Sequence, residues 1–452
     1  MTDSEKIAKL ESDLAAALAE IARLTALLRK ASVKKTSKNS HLCSSSEFGS
    51  SKKSQSLREK SDNPVGGQKG HAGHTLLQSE NPDVIVDLRP DYCIDCGKSL
   101  VDNDFKLKSS RQVIDIPPIM AQITEYRNFE TICSCGHHAV GGFPAGVTQP
   151  IQYGENIQSL CVYQNIFQYM PFGRMQDFFQ SVCNLSISKG TLENIIRRTS
   201  DKATPVYEHL RQVTERSFYV GSDETSFKCN GDKHWFWVWQ TTFITYIVAA
   251  SSRAKQVIVD TFPQGLTNSI LGSDRLAAQL STPTKGFQLC LVHLLRDLQY
   301  LIDLEKTPWA IAFKILLKDA IKLKQDKIAY LPTDKEYLNI IHTAETLLKL
   351  TVLEESLTNE IEHKETLIFF AQMRNLRKGL FPFLLDARIP FHNNDSEKAI
   401  RNVKVKMKIS GQFKSLHTQF AILRSVIDTA RKNGQPVFNA IRAIIALNPV
   451  AN

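Results

Sequence analysis

The sequence of 452 residues has no apolar run approaching the roughly 18 residues a membrane-spanning helix needs, which excludes a helical membrane protein. It also opens on charged, helix-forming residues where a secretory leader would be apolar, so the expectation is a protein that is not secreted. Cysteines number only nine, too few for a disulfide-stapled scaffold of this length, and in reducing surroundings they serve as thiols or metal ligands. What is present is enough for several domains. The 42% hydrophobic content excludes wholesale disorder, and 56 basic against 46 acidic residues leave +10, which points weakly to a polyanionic partner.

The charge is unevenly placed. Ile7, Leu14, Ile21 and Leu28 recur every seven residues with Leu10, Ala17 and Leu24 interleaved, the pattern of a self-associating coiled coil over residues 1–30. Residues 29–60 then carry nine Lys or Arg against Glu47 and Glu59, and Gly66, Gly67, Gly70, His71, Gly73 and His74 follow. Such text cannot bury a core, so residues 31–88 read as a flexible basic linker able to follow a phosphate backbone.

Cys93-x-x-Cys96-Gly97 and Cys133-x-Cys135-Gly136 lie either side of strand-like segments at 112–116 and 123–126. Four converging soft ligands make a structural zinc ribbon over 89–145, with His137 or His138 as a substitute ligand because the second knuckle is short. Residues 150–212 read as helical. Within them Met175–Phe179, a turn through Asn184 and a helix capped by Ser188 resemble a helix-turn-helix, with Lys189, Thr191 and Asn194 facing DNA.

From 213 the period changes to strands: Phe218–Val220 into Asp223, Trp235–Trp239, Thr245–Ala249, Ser269–Asp274 and Phe287–Val292, with a helix over Lys255–Phe262. This is a mixed α/β layout over 213–303. A helical insertion fills 304–388, a further helix bears Glu397 in 389–416, and helices close the chain over 417–452. Cleaving a phosphodiester with two Mg²⁺ or Mn²⁺ ions needs about three carboxylates from separate elements. Asp223, Asp274 and Glu397 meet that need, as in a ribonuclease-H-like fold. Neighbouring strand residues point to opposite faces, so Glu224 could share the site with Asp223 only on a bulged strand, and Asp223 is the choice. Asp260 and Asp395 are the rivals. On the Glu397 helix, Ile400, Val403 and Met407 share one face and Arg401, Lys404 and Lys408 extend a basic stripe on another.

Read in order, these pieces resemble the DDE-type transposases of the insertion-sequence-sixty-six family (TnpC type). The resemblance is carried by the zipper, Gly66–Gly73, both cysteine knuckles, Pro150–Gly154, Asp223-Glu-Thr225, Ser273-Asp-Arg275, Gln288–Arg296, Pro390–Glu397, Lys404–Gly411 and Thr429–Lys432. It implies that Asp223, Asp274 and Glu397 form the acidic triad, and that the enzyme binds the terminal inverted repeats of its own element and cuts and joins DNA. It further implies a homo-oligomer, companion proteins of the same element, and a bacterial cytoplasmic, nucleoid-associated location. Glu224, His293, Arg296 and Asn394 are supporting candidates. His392, Lys398 and the short second knuckle depart from the family pattern. The competing expectation is a dimeric, zinc-containing DNA-binding regulator without catalysis.

Overall fold

The computed structural model describes residues 3–33, 76–349, 351, 353 and 363–447. The expected basic linker over 34–75, with its Gly/His stretch, lies outside the described residues. The chain divides into two compact units, one of residues 1–54, 124–181 and 185–452 and a smaller one of 55–123 with 182–184.

In the smaller unit the chain is extended and largely without ladders. Gln112 bonds Ser79, and a tight turn closes Cys93 onto Lys98, where the Cys93 N–H meets the Lys98 carbonyl at 2.8 Å. The segments 112–116 and 123–126 are not strands, contrary to the sequence pattern, because no neighbouring strand pairs with their backbone.

The larger unit is mixed α/β. Its helix α1 (Asp3–Ser32) keeps Ile7, Leu10, Leu14, Ile21 and Leu24 exposed. A short hairpin of β1 (Glu130–Ile132) and β2 (His138–Val140) carries Cys133 and Cys135 in its turn. Helices α2 (Glu155–Val162) and α3 (Phe172–Cys183) then lead to α4 (Lys189–Arg216), where Ser188 Oγ accepts the Thr191 N–H at 3.1 Å as an N-cap. This second helix of the expected helix-turn-helix is 28 residues long and buries Leu192, Ile195, Ile196, Ala203 and Leu210 along one side.

The central sheet runs in the order β5-β4-β3-β6-β7. Strands β3 (Tyr219–Cys229), β4 (Asp232–Gln240) and β5 (Thr245–Ala250) pair antiparallel, while β6 (Leu266–Ser273) and β7 (Thr284–Leu289) join parallel. A two-residue turn links β3 to β4 with Asn230 and Gly231 both at positive φ, the conformation tight hairpins demand. Parallel pairing needs a crossover, supplied by α5 (Lys255–Thr261) and α6 (Ala277–Leu280). Large side chains hold the sheet. Trp237 and Trp239 are fully buried, and Trp239 meets Phe262 edge-on at 5.1 Å.

The last expected strand is shorter than its apolar run suggests. β7 ends at Leu289, and Leu291 and Val292 already belong to α7 (Leu291–Glu305), so Leu291 packs in a helical core rather than on the sheet. That core gathers α8 (Pro308–Asp326), α9 (Lys335–Leu347), α10 (Lys364–Asn375) and α11 (Pro382–Leu385) around Trp309, Phe313, Phe370 and Met373. The chain then returns to the sheet as α12 (Asn394–Ser410), followed by α13 (His417–Lys432) and α14 (Val437–Ala446). The buried side of α12 is Ser396, Ala399, Val403 and Lys406, a rotation from the face the sequence suggested.

Candidate active site

The parallel register decides where the acids meet. Gly221 on β3 stands opposite Gly272 on β6, so continuing both strands by two residues sets Asp223 beside Asp274, the residue that follows the end of β6. Asp223, Glu224 and Asp274 offer carboxylate oxygens that all lie within 4.8 Å of one another. Among the described residues they are the group of three or more His, Cys, Asp or Glu side chains close enough to share one ion.

Glu224 joins without a bulge, since β3 and β4 keep a continuous register through Asp223↔Val238 and Glu224↔Trp237. The alternation argument that set Glu224 aside is therefore corrected. Backbone alternation fixes the Cβ direction, but the Asp223 carboxylate turns back to accept the Glu224 N–H at 2.8 Å and the longer Glu224 side chain reaches the same place. The two remain distinguishable. Glu224 already accepts Arg253 Nε at 2.8 Å and Gln279 Nε2 at 3.3 Å. Among the described residues Asp223 makes no ion pair, and His293 opposes the raising of its carboxyl only weakly against burial and Asp274.

Burial, reinforced by Asp274 and then Glu224, pushes the Asp223 carboxyl well above the usual carboxylate range. Burial and Asp274 also raise Glu224, with Arg253 opposing. Like charges at this spacing favour an intervening cation, and an all-oxygen donor set is what Mg²⁺ and Mn²⁺ take. The residues therefore fit a divalent ion.

Glu397 stands beside this cluster rather than in it. Its Oε1 lies 3.5 Å from His293 Nε2 and 3.7 Å from Arg296. Burial disfavours a charged His293 ring, but the Cys290 thiol and Asp274 outweigh it and push the ring up to about 9.

The helix bearing Glu397 is pinned by Asn393, the residue before the supporting candidate Asn394. Asn393 is buried; its Nδ2 donates to the Ser222 carbonyl at 2.7 Å, its Oδ1 accepts the Ser396 hydroxyl at 2.7 Å, and its N–H meets Cys290 Sγ at 3.3 Å. Asn393 thus ties the helix bearing Glu397 to the strand bearing Asp223 and to Cys290 at the start of α7. Room for it comes from Gly221, where a Cβ would stand 2.7 Å from Asn393 Oδ1 and 3.0 Å from Ser396 Oγ. Across the pair, Gly272 receives the Tyr219 hydroxyl. Directly after Asp274, Arg275 sits at φ 78° and is held by Asp297 and by Gln372 at 3.0 Å, so the helical insertion grips the strand end. Sequence reasoning missed Asn393, Gln279, Arg253 and Arg275. Only Asn393 carried a signal, its place before a helix, and that signal reads as a cap instead of a clamp.

The other candidates are spread out. Lys189 and Asn194 are exposed at the start of α4, whereas Thr191 is drawn into the cap through a 2.9 Å contact with Ser188. Arg401 and Lys408 are exposed along α12, and Lys404 donates to the Ser226 carbonyl at 3.1 Å. Each cysteine pair sits in its own tight turn, with Gly97 and Gly136 at positive φ and their N–H groups returned to the Cys93 and Cys133 carbonyls. In each turn, hydrogen bonds from the backbone and the neighbouring thiol lower the first cysteine.

A profile described as Transposase IS66 family matches residues 150–419, more than half of the chain. No curated protein matches it.

Proposed function

The chain belongs to the transposase IS66 family, and on that premise we propose that it binds the terminal inverted repeats of an insertion sequence and catalyses metal-dependent DNA cleavage and strand transfer through Asp223, Asp274 and Glu397. The family implies DNA as partner and a divalent metal as cofactor, and no helix among the described residues is long and apolar enough to cross a membrane. The observation that carries the reading is the half-buried cluster of Asp223 and Glu224, midway along β3, with Asp274, just past the end of β6. Burying three carboxylates together costs stability, which a purely regulatory DNA-binding protein has no reason to bear. The strand order, with three antiparallel strands followed by two parallel ones, supports a ribonuclease-H-like core.

A divalent metal bound there would activate water or a 3′-hydroxyl and steady the leaving oxygen. The chain's own residues divide the remaining work. Asp223 and Asp274 offer ligand oxygens, Arg253 holds Glu224 in place, and His293 with Arg296 orients Glu397 beside the scissile phosphate. Arg401, Lys404 and Lys408 take DNA phosphates along α12, and Lys189, Thr191 and Asn194 contact DNA from the start of α4. The exposed apolar stripe of α1 pairs with a second copy as a coiled coil, and Cys93 with Cys96, and Cys133 with Cys135, each offer zinc-ligating thiols from their own turn.

Asp223→Asn, Asp274→Asn and Glu397→Gln are each expected to abolish cleavage of a labelled element end while binding to it survives. Cleavage retained in all three overturns the assignment. Strand-transfer products separate transposition from simple hydrolysis.

A further inference from the structure

One face of the β3–β4 ribbon carries, from hairpin tip to acidic cluster, three cross-strand pairs: Lys228↔Lys233 and Ser226↔Trp235, which are open or half-open to solvent, and Glu224↔Trp237, which is buried. Paired residues on an antiparallel ladder project to the same side, and successive pairs step by roughly 7 Å, the scale on which adjacent phosphates of a nucleic-acid backbone repeat. The opposite face is closed, with Phe227 and Phe236 packed on Phe413.

The open part of this face is its tip half, Lys228, Lys233 and Trp235. Lys228 and Lys233 are both exposed, and like charges directly opposite each other destabilise a ladder. Among the described residues neither carries an ion-pair partner. Next along the ribbon, Trp235 is only half-buried, with Lys233 Nζ 4.8 Å and the Arg253 guanidinium 5.1 Å from its ring centre. Arg253 also bonds Glu224 at 2.8 Å, so the aromatic surface is tied directly to a member of the acidic cluster.

We propose that this face is a track for an unpaired DNA strand entering the acidic site, with phosphates on Lys228 and Lys233 and a base stacked on Trp235. Paired cations supply the charge a backbone seeks, and an aromatic ring beside them supplies a platform that accepts any base. A protein partner would find few apolar anchors on this face, and a blunt duplex keeps its bases stacked internally and out of reach of Trp235. The proposal rests on the reading that the cluster acts on DNA.

The test measures binding of the full chain, in EDTA, to two labelled duplexes of unrelated sequence, one blunt and one with a few unpaired 3′ nucleotides. The tailed duplex is expected to bind about tenfold tighter, the size of one stacked base. Trp235→Ala should erase that preference and Trp235→Phe keep most of it. Lys228→Gln and Lys233→Gln should each weaken binding to the tailed duplex and lower its salt slope by about 1. Equal binding of the two duplexes by the unaltered chain overturns the proposal, as does a preference that survives Trp235→Ala or a salt slope that both lysine variants leave unchanged. Omitting metal and element ends keeps this result separate from catalysis. Loss of the track with cleavage intact refutes the track alone, and a working track without cleavage of element ends refutes the transposase reading alone.

Discussion

Removing the Asn393 side chain tests how the Glu397 helix is held against the strands. In Asn393→Ala the Ser222 carbonyl loses its 2.7 Å donor and the Ser396 hydroxyl its 2.7 Å acceptor, both in a buried setting. An orphaned buried polar group costs about 1–3 kcal/mol. Ser222 lies within the β3–β4 ladder and Ser396 can turn to a carbonyl of its own helix, so the lower half of that range applies to each. The expected loss is about 2–4 kcal/mol in urea unfolding. Gly221→Ala attacks the same contact from the strand, since its new Cβ needs the space that Asn393 Oδ1 fills.

The functional consequence follows from position. The clamp joins α12 to a backbone carbonyl one residue before Asp223, so loosening it misplaces Glu397 relative to the strand carboxylates. A misplacement of about 1 Å can cost about a hundredfold in rate, and a loss of that size is expected in single-turnover cleavage by Asn393→Ala at saturating DNA. Asn393→Asp should fare no better, because it sets an acceptor against the Ser222 carbonyl. An alanine variant as stable as the parent, with an unchanged cleavage rate, would refute the reasoning.

Two further outcomes follow from buried charge. Asp223 and Glu224 are raised carboxyls, so their contribution to stability is present below the usual carboxylate range and lost as pH climbs through the raised values. Magnesium binds the ionised forms, so the rise in Tm on adding Mg²⁺ should grow from mildly acidic to neutral pH and vanish in Asp223→Asn; a pH-independent rise refutes this. Lys406, buried on α12 with the Asn165 carbonyl at 3.2 Å, is lowered from 10.5 to about 8 by burial. Its stability contribution is lost as pH falls through about 8, and the gap of 2.5 between those two values corresponds to about 3 kcal/mol. Lys406→Met is therefore expected to stabilise the protein at neutral pH by about 1–3 kcal/mol after loss of its hydrogen bond, measured by urea unfolding. A destabilised variant would show the charge to be needed.

Asp223 and Asp274 were legible in sequence because each lies in or directly after a strand pattern, although β3 runs on past Asp223 to Cys229 and only Asp274 stands at a strand end. Glu224 was not, because alternation describes the backbone and says nothing of how far a side chain bends. The rotation of α12 was hidden for a different reason. Its inward side is set by partners far away in sequence, with Lys406 reaching the π-helical turn of Tyr163–Phe167, and that turn has no periodic signature. The cysteine knuckles were legible locally, as glycine-closed turns, because a turn is decided by a few neighbouring residues. Arg275 was legible only as part of the Ser273-Asp-Arg275 match, not in its conformation. Its left-handed backbone is sustained by Asp297 and Gln372, which come from helices inserted after β7.

The separation between Glu397 and the strand carboxylates follows from the same charges. Two unit charges 4.8 Å apart repel by about 3.5 kcal/mol at an effective dielectric near 20, so a fourth carboxylate entering the cluster would meet several such terms at once. Arg296 and a His293 ring pushed up to about 9 offer Glu397 the opposite sign a short distance away. The backbone of α12 has no comparable freedom, since Asn393 fixes its first turn to Ser222 and Cys290. The adjustable part of the site is therefore the Glu397 side chain, balanced between two basic residues on α7 and the carboxylates on the sheet. A cation held by Asp223 and Asp274 would draw Glu397 toward the sheet through its side chain, with the helix left in place by Asn393.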